Sequence, residues 1–450
     1  MIDSWVNYTF FCMKCIHLFL GRPLTPFGSG YPHFRFRSIP TLTLFASERL
    51  TAVLLSLALV LTFAVLPKIC YTFLMNQNTT EQNEYQAKIF ANRLAKKYKL
   101  LRKWARRERV TCYRLYDRDI PEVPLAVDLY EALPDGMDSK IDAALFLRQE
   151  DARISANDLT AAKEKAERSF VHLYLYERPY EKSDSDEQIW LDCMTKAVAS
   201  VLEIPENRVI QKLRKKQKGE NQYEKIDSKQ TTECYVQECG QLFKVNLSDY
   251  LDTGLFFDHR PLRSIVRSEC AGKSVLNLFC YTGSFSVYVA EGKARRVESV
   301  DLSNTYLEWA RFNFALNDFD PDDPRYFFTR GNVTGFLNQK LAEVPNAEGS
   351  NRYDIIVLDP PTFSNSKATR NTLDINRDWS ELVKKCVNLL NAGGVLYFST
   401  NSHRLRFDNE LVPKTTDSGK AVAVFDMTEK SLPEDFKGTK AHRLWKIQIA

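Results

Sequence analysis

The stretch VLNLFCYTGSFSVYVAEGKARRVESVD, residues 275–301, decides the fold class. Its first five residues predict a mostly apolar strand, the segment at 285–291 predicts a helix, and 297–301 predicts a second strand. Helices and strands continue to alternate beyond this unit, at 304–317, 355–358, 382–390 and 395–399. Such alternation predicts an α/β protein with a doubly wound, mainly parallel sheet.

The carboxyl ends of these strands carry the candidate ligand-binding residues, because open α/β sheets bind ligands at that edge. The first strand runs into a turn of small residues, which lets backbone amides approach a ligand closely. This turn does not read GxGxxG, so the dinucleotide fingerprint is absent. An acidic residue follows about 20 residues later, the distance typical of a carboxylate that binds ribose. The sequence therefore predicts a nucleoside-cofactor pocket formed by Asn277, Tyr281, Thr282, Gly283, Asp301, Leu302 and Asn332.

The segment IIVLDPPTF, residues 355–363, is the strongest catalytic motif. An apolar strand ends in Asp359, and Pro360 and Pro361 stiffen the turn and present carbonyls rather than N–H groups. Phe363 supplies an aromatic ring on which a base can stack. The alternative is an ordinary proline-containing loop, but the position in the strand series favours a site that holds a nucleobase against a methyl donor.

A basic helix is predicted from residue 84 onward, with nine positive side chains within residues 93–109 offset only by Glu108. A second basic run follows at 212–218. A solvated helix face is the usual explanation of a charge run, but so little compensation favours contact with RNA phosphates. The predicted RNA-binding residues are Arg93, Lys96, Lys97, Lys99, Arg102, Lys103, Arg106, Arg107, Lys215, Lys216 and Lys218.

Taken in order, these motifs resemble class I S-adenosylmethionine (SAM)-dependent methyltransferases. The chain is most similar to the K half of the bacterial K/L enzyme that methylates 23S ribosomal RNA, and the resemblance covers nearly all of residues 84–450. It rests on IFANRLAKKYKLLRKWARRERVTCYRLYDRDIP (89–121), QKGENQYEK (217–225), VNLSDYLDTGLFFDHR (245–260), NLFCYTGSFSV (277–287), VDLSNTYLEWARFN (300–313) and DPPTFSNSK (359–367).

The resemblance implies a cofactor, a product and residue roles. SAM would be the methyl donor and 7-methylguanosine in 23S rRNA the product. Asp258, His259 and Arg260 would flank the cofactor, and Asp359 would border both the methyl group and the base. In the pocket predicted above, the resemblance places the turn at the methionine end, the acid at the ribose and Asn332 at the adenine. The family usually has aspartate where this chain has Asn332, whose amide carbonyl can still face the adenine amino group.

Three other functions are weighed against guanine N7 methylation. Formation of 5-methylcytosine needs a cysteine beside the base, and neither 359–367 nor 398–403 contains one. Cys280 lies in the predicted cofactor turn and Cys386 in a predicted helix. Methylation at guanine N2 and a non-catalytic RNA-binding or ribosome assembly factor stay open. No metal is expected, since His259 and His403 are isolated histidines.

The first 75 residues differ from the rest, with eight charged side chains and an uncharged run of 17 residues at 50–66. That length is at the short end of what spans a bilayer. One interpretation is a membrane tether through residues 50–66. The other, which we favour, is that translation starts at Met75 and the upstream residues are an artefact.

Composition otherwise indicates a globular protein of 450 residues, with a net charge of +5 and ten irregularly placed cysteines typical of a reducing, cytoplasmic compartment. We expect a class I methyltransferase Rossmann-like sheet preceded by a smaller α+β accessory domain. The expected parts are a hydrophobic leader (1–75), a basic helical arm (76–118), an accessory RNA-binding domain (119–245) and the methyltransferase domain (246–450). The expected partner is 23S rRNA or its precursor. A separate L-type methyltransferase chain is a candidate second partner, the alternative being that the organism lacks it.

Overall fold

The computed structural model describes residues 66–177, 182–214, 231–249, 252–343, 352–364 and 373–450, with side chains from residue 80 onward. The chain divides into two compact units, Met1–Gln77 and Asn78–Ala450, and the fold below is that of the second, together with the start of a helix that begins at Leu66. The apolar run at 50–66 falls outside the described residues apart from its last position. Among the helices that the structure does describe, none combines the length and apolar character needed to cross a bilayer.

The accessory part is built on a long first helix and a four-stranded sheet. Helix α1, Leu66–Glu108, buries Phe90, Leu94, Leu101 and Ala105 at four- and seven-residue spacing. These side chains join one core with the sheet. The sheet order is β1-β2-β3-β4, antiparallel except for the last, parallel pair. The remaining elements of this part are β1 Cys112–Asp117, β2 Leu125–Glu131, α2 Lys140–Ser155, α3 Leu159–Arg168, β3 Ser169–Tyr176, α4 Asp184–Leu202 and β4 Val209–Arg214.

A hairpin of β5, Glu233–Glu238, and β6, Gln241–Asn246, follows the accessory sheet. Two buried asparagines bind it from the catalytic part, which is the following part of the chain, residues 252–450, and contains the candidate catalytic residues. Asn317 accepts a hydrogen bond at Oδ1 from the Leu242 amide at 2.9 Å, and Asn313 accepts from the Lys244 amide at 3.1 Å. The hairpin, which precedes the domain boundary predicted at residue 246, is thus hydrogen-bonded to the part beyond it.

The catalytic part contains the predicted doubly wound sheet, in the order β14-β15-β13-β10-β7-β8-β9. Strands β13, β10, β7, β8 and β9 are parallel, whereas β15 runs antiparallel to β13 and β14 antiparallel to β15. The elements are α5 Arg260–Glu269, β7 Ser274–Leu278, α6 Ser284–Glu291, β8 Arg296–Asp301, α7 Asn304–Leu316, β9 Tyr326–Arg330, α8 Val333–Glu343, β10 Tyr353–Leu358, β11 Phe363–Ser364, β12 Leu373–Asp374, α9 Ile375–Asn388, β13 Leu390–Thr400, β14 Val422–Asp426, α10 Thr428–Ser431 and β15 Arg443–Ile449.

Both faces of this sheet are buried, which explains why its strands are apolar without alternation. In β10, Ile355 and Val357 face one hydrophobic cluster, and Ile356 and Leu358 face the other. All four side chains are fully buried. The apolar strand predicted at 355–358 is therefore a central strand, and its carboxyl end delivers Asp359 to the edge where β7 and β8 also end.

Candidate cofactor and substrate site

Asp301, at the end of β8, ties three strand ends together. Its Oδ2 accepts a hydrogen bond from the Tyr281 amide at 3.0 Å, and its Oδ1 accepts from the Ser303 amide at 2.9 Å. Its own carbonyl accepts from the Gly331 amide, just beyond β9. Burial raises the pKa of Asp301, and the amide hydrogen bonds oppose that rise. Each carboxylate oxygen keeps a further lone pair for a ligand hydroxyl.

The turn after β7 is held in an unusual backbone conformation. Phe279, Tyr281 and Gly283 have positive φ angles of 56°, 50° and 76°. A Cβ on Gly283 would lie 2.7 Å from Cβ of Ala310 in α7. This strain at a strand end is typical of a ligand-binding turn whose backbone must approach the ligand closely.

The Thr282 side chain points into the protein and stabilises the turn through hydrogen bonds. Its hydroxyl donates to the Gly254 carbonyl at 2.5 Å, and its own carbonyl accepts from Asn313 Nδ2 at 2.9 Å. The side chain is fully buried. The prediction placed Thr282 in the cofactor pocket; its side chain supports that pocket, and only its backbone remains for ligand contact.

An aromatic group stands beside the turn. The Tyr281 ring lies 5.4 Å from that of Phe256 and 4.6 Å from that of Tyr306. Phe256 is 42% exposed, although its neighbour Phe257 is buried. The sequence analysis did not predict a role for Phe256. The one feature that could have pointed to it is its position four residues before the start of α5.

Two of the residues predicted to bind the cofactor have side chains that are engaged in buried hydrogen bonds. Asn277 is buried, and its Nδ2 donates to Ser286 Oγ at 2.9 Å between β7 and α6. Arg260 is also buried, with its guanidinium committed to Glu238 at 3.1 Å, Asp435 at 2.9 Å and the Cys112 carbonyl at 2.9 Å. Both side chains are occupied inside the protein and are structural, because a ligand could bind them only by breaking these buried bonds.

Leu302 and Asn332 lie where the sequence placed them, beyond β8 and β9. Asn332 is exposed, and its Oδ1 accepts from the Gly335 amide at 3.1 Å, which caps the start of α8. The Leu302 carbonyl accepts from Arg330 Nε at 3.4 Å. The helix cap explains an amide at this position, where the family usually has aspartate, because both side chains can cap.

The Asp359 turn is the second half of the site. Asp359 is 26% exposed, its Oδ1 accepts from the Ser399 hydroxyl at 2.6 Å, and its Oδ2 lies 3.3 Å from His259 Nε2. Pro360 is buried and Pro361 half-buried, whereas Phe363 is 49% exposed. A fixed carboxylate beside an accessible aromatic ring is what holding a planar base requires.

His259, which the sequence interpretation took as an isolated histidine, stacks on His442, a residue that this interpretation missed. The two rings stack at 4.4 Å and 15°, and His442 Nδ1 bonds Asp258 Oδ2 at 2.8 Å. His442 directly precedes β15, and antiparallel pairing puts the start of β15 beside the end of β13. Because the final strand runs antiparallel to β13, its first residues, and His442 just before them, lie at the site.

Asp258, His259 and His442 lie close enough for a metal, with their ligand atoms within 4.8 Å of one another. Their geometry fits a hydrogen-bonded chain better. Imidazole lone pairs lie in the ring plane, so two stacked, nearly parallel rings do not direct them at one ion. Burial would raise the pKa of Asp258, but the charges and hydrogen bond of His259 and His442 outweigh it and hold that pKa well below its usual range.

The basic residues of α1 fall into two groups. Arg93 and Lys97 pair with Asp119, Arg106 with Asp151, and Arg107 with Glu108. Within the described part of the chain, no carboxylate forms an ion pair with Lys96, Lys99, Arg102 or Lys103, all of them exposed. This second group is the one available to phosphates.

Three of the α1 cations, Lys99, Arg102 and Arg106, also line a groove of about 1100 Å³ shared with α2 and α3. Lys215, Lys216 and Lys218 lie outside the described residues. Lys212, at the start of that second basic run, is buried in β4, and burial lowers its pKa to about 8. It therefore belongs to the sheet rather than to an exposed basic loop.

Comparison with known proteins agrees with this geometry. Residues 166–436 match the family model of S-adenosylmethionine-dependent methyltransferases. Ribosomal RNA large subunit methyltransferase K of Neisseria meningitidis serogroup B is 40% identical over 359 residues, which are 80% of this chain and 86% of that protein. Ribosomal RNA large subunit methyltransferase K/L of Magnetococcus marinus is 39% identical over 365 residues, 81% of this chain but 43% of that protein.

Solved structures show the same fold. A protein described as a methyltransferase complexed with SAH superposes with a TM-score of 0.56 at 20% identity, over 80% of this chain and 81% of that chain. One described as a SAM-dependent methyltransferase from Streptococcus mutans gives 0.54 at 20% identity, over the same shares of the two chains. With its strand order, its cofactor turn and these relatives, the chain belongs to the S-adenosylmethionine-dependent methyltransferases and, within them, to the ribosomal RNA large subunit methyltransferase K family.

Proposed function

We propose that this protein transfers the methyl group of SAM to N7 of a guanine in 23S rRNA. The observation that carries the proposal is the shared strand edge, where the Asp301-supported turn and the Asp359 turn lie at the ends of neighbouring strands. The Asp301-supported turn suits the nucleoside part of the cofactor, and the Asp359 turn suits a flat base. The relatives' names supply the RNA, since they are large subunit rRNA methyltransferases.

The cofactor would lie along the turn after β7. The backbone of Tyr281–Gly283 would face the methionine end, Asp301 the ribose hydroxyls and Asn332 the adenine edge. Asp301 supports this assignment because it is fixed by two amides and still has lone pairs to offer.

Guanine N7 carries a lone pair and no proton, so it can attack the methyl group without a general base. The enzyme then has to align N7 with the methyl group and favour the cationic product. Asp359 suits that task, because its Oδ1 accepts a hydrogen bond from Ser399, its Oδ2 lies 3.3 Å from His259 Nε2, and the carboxylate is still partly exposed. Phe363 would stack on the base.

The cysteine chemistry that cytosine C5 methylation needs is not supported. Cys280 is buried, and that burial, with Asp301 nearby, raises the pKa of its thiol well above 9.0. A thiol held protonated is a poor nucleophile. Cys386 is also fully buried. Guanine N2 remains the rival position, because its amine proton would need an acceptor and Asp359 is one.

RNA would lie against the unpaired cations of α1, namely Lys96, Lys99, Arg102 and Lys103. Four cations on one helix, none of them ion-paired within the described residues, fit a phosphate backbone better than they fit a base-specific contact. A separate L-type chain is a proposed partner as well, and co-purification with the full chain would test it. If the protein were an assembly factor without catalysis, this helix alone would explain its binding.

The deciding experiment incubates the full chain with methyl-labelled SAM and 23S rRNA that lacks its modifications, followed by digestion and mass spectrometry of the labelled nucleoside. Label in 7-methylguanosine is expected. Asp301→Ala should remove it, and Asp322→Asn, an exposed aspartate elsewhere, should not. Label in N2-methylguanosine or 5-methylcytidine would overturn the N7 assignment. RNA binding without any label would favour the assembly factor.

A further inference from the structure

A group of stacked and hydrogen-bonded side chains contacts Asp359 through His259. It consists of Asp258, His259, His442 and Ser431. The function proposed above assigns this group no role. His259 lies on a short turn before α5, and its Nε2 is 3.3 Å from Asp359 Oδ2. His259 is 5% exposed and His442 is 3% exposed. A buried histidine beside the Asp359 carboxylate, stacked on a second buried histidine, calls for an explanation, because burying an imidazole costs free energy unless its nitrogens are hydrogen-bonded.

The position of His442 is fixed at both ring nitrogens. Its Nδ1 bonds Asp258 Oδ2 at 2.8 Å, and its Nε2 bonds Ser431 Oγ at 2.8 Å. A ring held at both nitrogens cannot flip or tilt freely. It therefore forms a rigid face against which His259 stacks at 4.4 Å.

The protonation of His259 follows from what surrounds it. Its Nδ1 is buried and, among the described residues, has no hydrogen-bond partner. Its Nε2 faces a carboxylate, so a proton on Nε2 is favoured and a lone pair there would be repelled. The charged or titratable groups that act on it are Asp359, Asp258, His442 and Arg263. Burial lowers the pKa of His259 despite the two carboxylates, which makes the neutral, Nε2-protonated ring the form present near neutral pH.

The Asp359 carboxylate is consequently held from two sides. The Ser399 hydroxyl donates to Oδ1 at 2.6 Å, while Nε2 of His259 lies 3.3 Å from Oδ2. A contact at one oxygen leaves the carboxylate free to rotate about its bond to Cβ, whereas contacts at both oxygens restrict that rotation. The direction of the remaining lone pairs toward the site is then fixed as well.

We propose that His259 is a positioning residue that, with Ser399, orients the Asp359 carboxylate for methyl transfer, and that His442 and Asp258 hold His259 in that place. His259 touches neither the methyl group nor the base. This inference rests on the proposed role of Asp359 and does not depend on which base atom receives the methyl group.

The test uses the full chain and counts total methyl label transferred to 23S rRNA. His259→Leu removes the donor and His259→Gln returns an N–H at about the position of Nε2. We expect His259→Leu to lower kcat by roughly 30- to 100-fold with KM for SAM and RNA nearly unchanged, and His259→Gln to recover most of the rate. His442→Phe, which keeps the stacked ring but loses Asp258, should lie between them.

Three results would overturn the inference: unchanged kcat in His259→Leu, a parallel loss of SAM affinity, or a Gln variant as slow as the Leu variant. If His259→Leu does not fold, Ser399→Ala removes the other donor, and an unchanged kcat there is equally decisive. Nitrogen-15 NMR of histidine-labelled protein gives an independent readout, with His259→Gln assigning the signal among six histidines. A His259 protonated at Nδ1 would refute the inference even if the wild type labelled no RNA, which would refute the proposed function instead.

Discussion

At the scale of single residues, the cofactor turn depends on one position that only glycine fits. Gly283 has a φ of 76°, and a Cβ would lie 2.7 Å from the Ala310 side chain. Gly272 has a similar φ of 70°, but nothing lies within 4 Å of its Cβ position. Substituting alanine at Gly272 therefore tests backbone strain alone, whereas the same substitution at Gly283 tests backbone strain together with a steric clash.

We expect Gly283→Ala to destabilise the protein by about 2–4 kcal/mol and to weaken SAM binding, and Gly272→Ala to cost only the backbone strain of about 1–2 kcal/mol. Urea unfolding and calorimetric titration with SAM would measure both quantities. Equal losses of stability and of SAM binding in the two variants would show that the contact with Ala310 is irrelevant.

His259 also predicts how stability depends on pH. Because burial lowers its pKa from the usual 6.5, the unfolded chain binds a proton at a higher pH than the folded chain does. The contribution of neutral His259 is therefore complete above about pH 6.5 and declines as the pH falls through the folded pKa.

His259→Gln cannot take up this proton, so its free energy of unfolding should decline less than that of the wild type between about pH 7.5 and 5.5. The exposed His403→Gln should decline as the wild type does. Denaturant unfolding at the two pH values would check this. Identical declines in all three proteins would show that His259 does not contribute.

At the scale of elements, α1 combines two functions on opposite faces. Phe90, Leu94 and Leu101 anchor it in the accessory core, while Lys96, Lys99 and Lys103 are exposed. A helix fixed by its apolar face presents its cations in a constant geometry, which favours a defined RNA contact over a diffuse one.

We expect Lys96, Lys99 and Lys103, changed together to Gln, to weaken RNA binding and to reduce the slope of log K against log salt by about 2 to 3. A control with Lys414, Lys430 and Lys437 changed to Gln on the catalytic part should keep the wild-type slope. Filter binding of 23S rRNA across a salt series would measure the slopes. Similar slopes in the two triple variants would assign the lost affinity to net charge instead of to α1.

At the scale of the whole second unit, a buried charge cluster joins the accessory sheet to the catalytic part. Asp435 Oδ1 accepts from Arg260 at 2.9 Å, and Asp435 Oδ2 accepts from the Arg114 amide in β1 at 3.1 Å. Glu238, at the end of β5, bonds both Arg260 and Arg263. The cluster connects four separate segments of the chain, so the accessory and catalytic parts should unfold together.

Asp435→Leu removes one charge and leaves Arg260 with less compensation in the interior. We expect a loss of about 3–5 kcal/mol, while Asp322→Asn at the surface should change stability little, since its ion pair is exposed. Calorimetric scans would test this. Two transitions already present in the wild type, or no loss in Asp435→Leu, would show that the cluster does not couple the two parts.

The sequence by itself determined the alternation of strands and helices from β7 to α7, the strands β10 and β13, the positions of Asp301 and Asp359 at strand ends and the placement of a basic helix, because local periodicity and turn chemistry carry that information. Only the tertiary structure decided what each side chain faces. Arg260 lies beside His259 in sequence, yet one is a buried structural cation and the other faces Asp359. His442 reaches the site from 183 residues away because the last strand runs antiparallel. Such contacts depend on strand direction and packing, which no local pattern records.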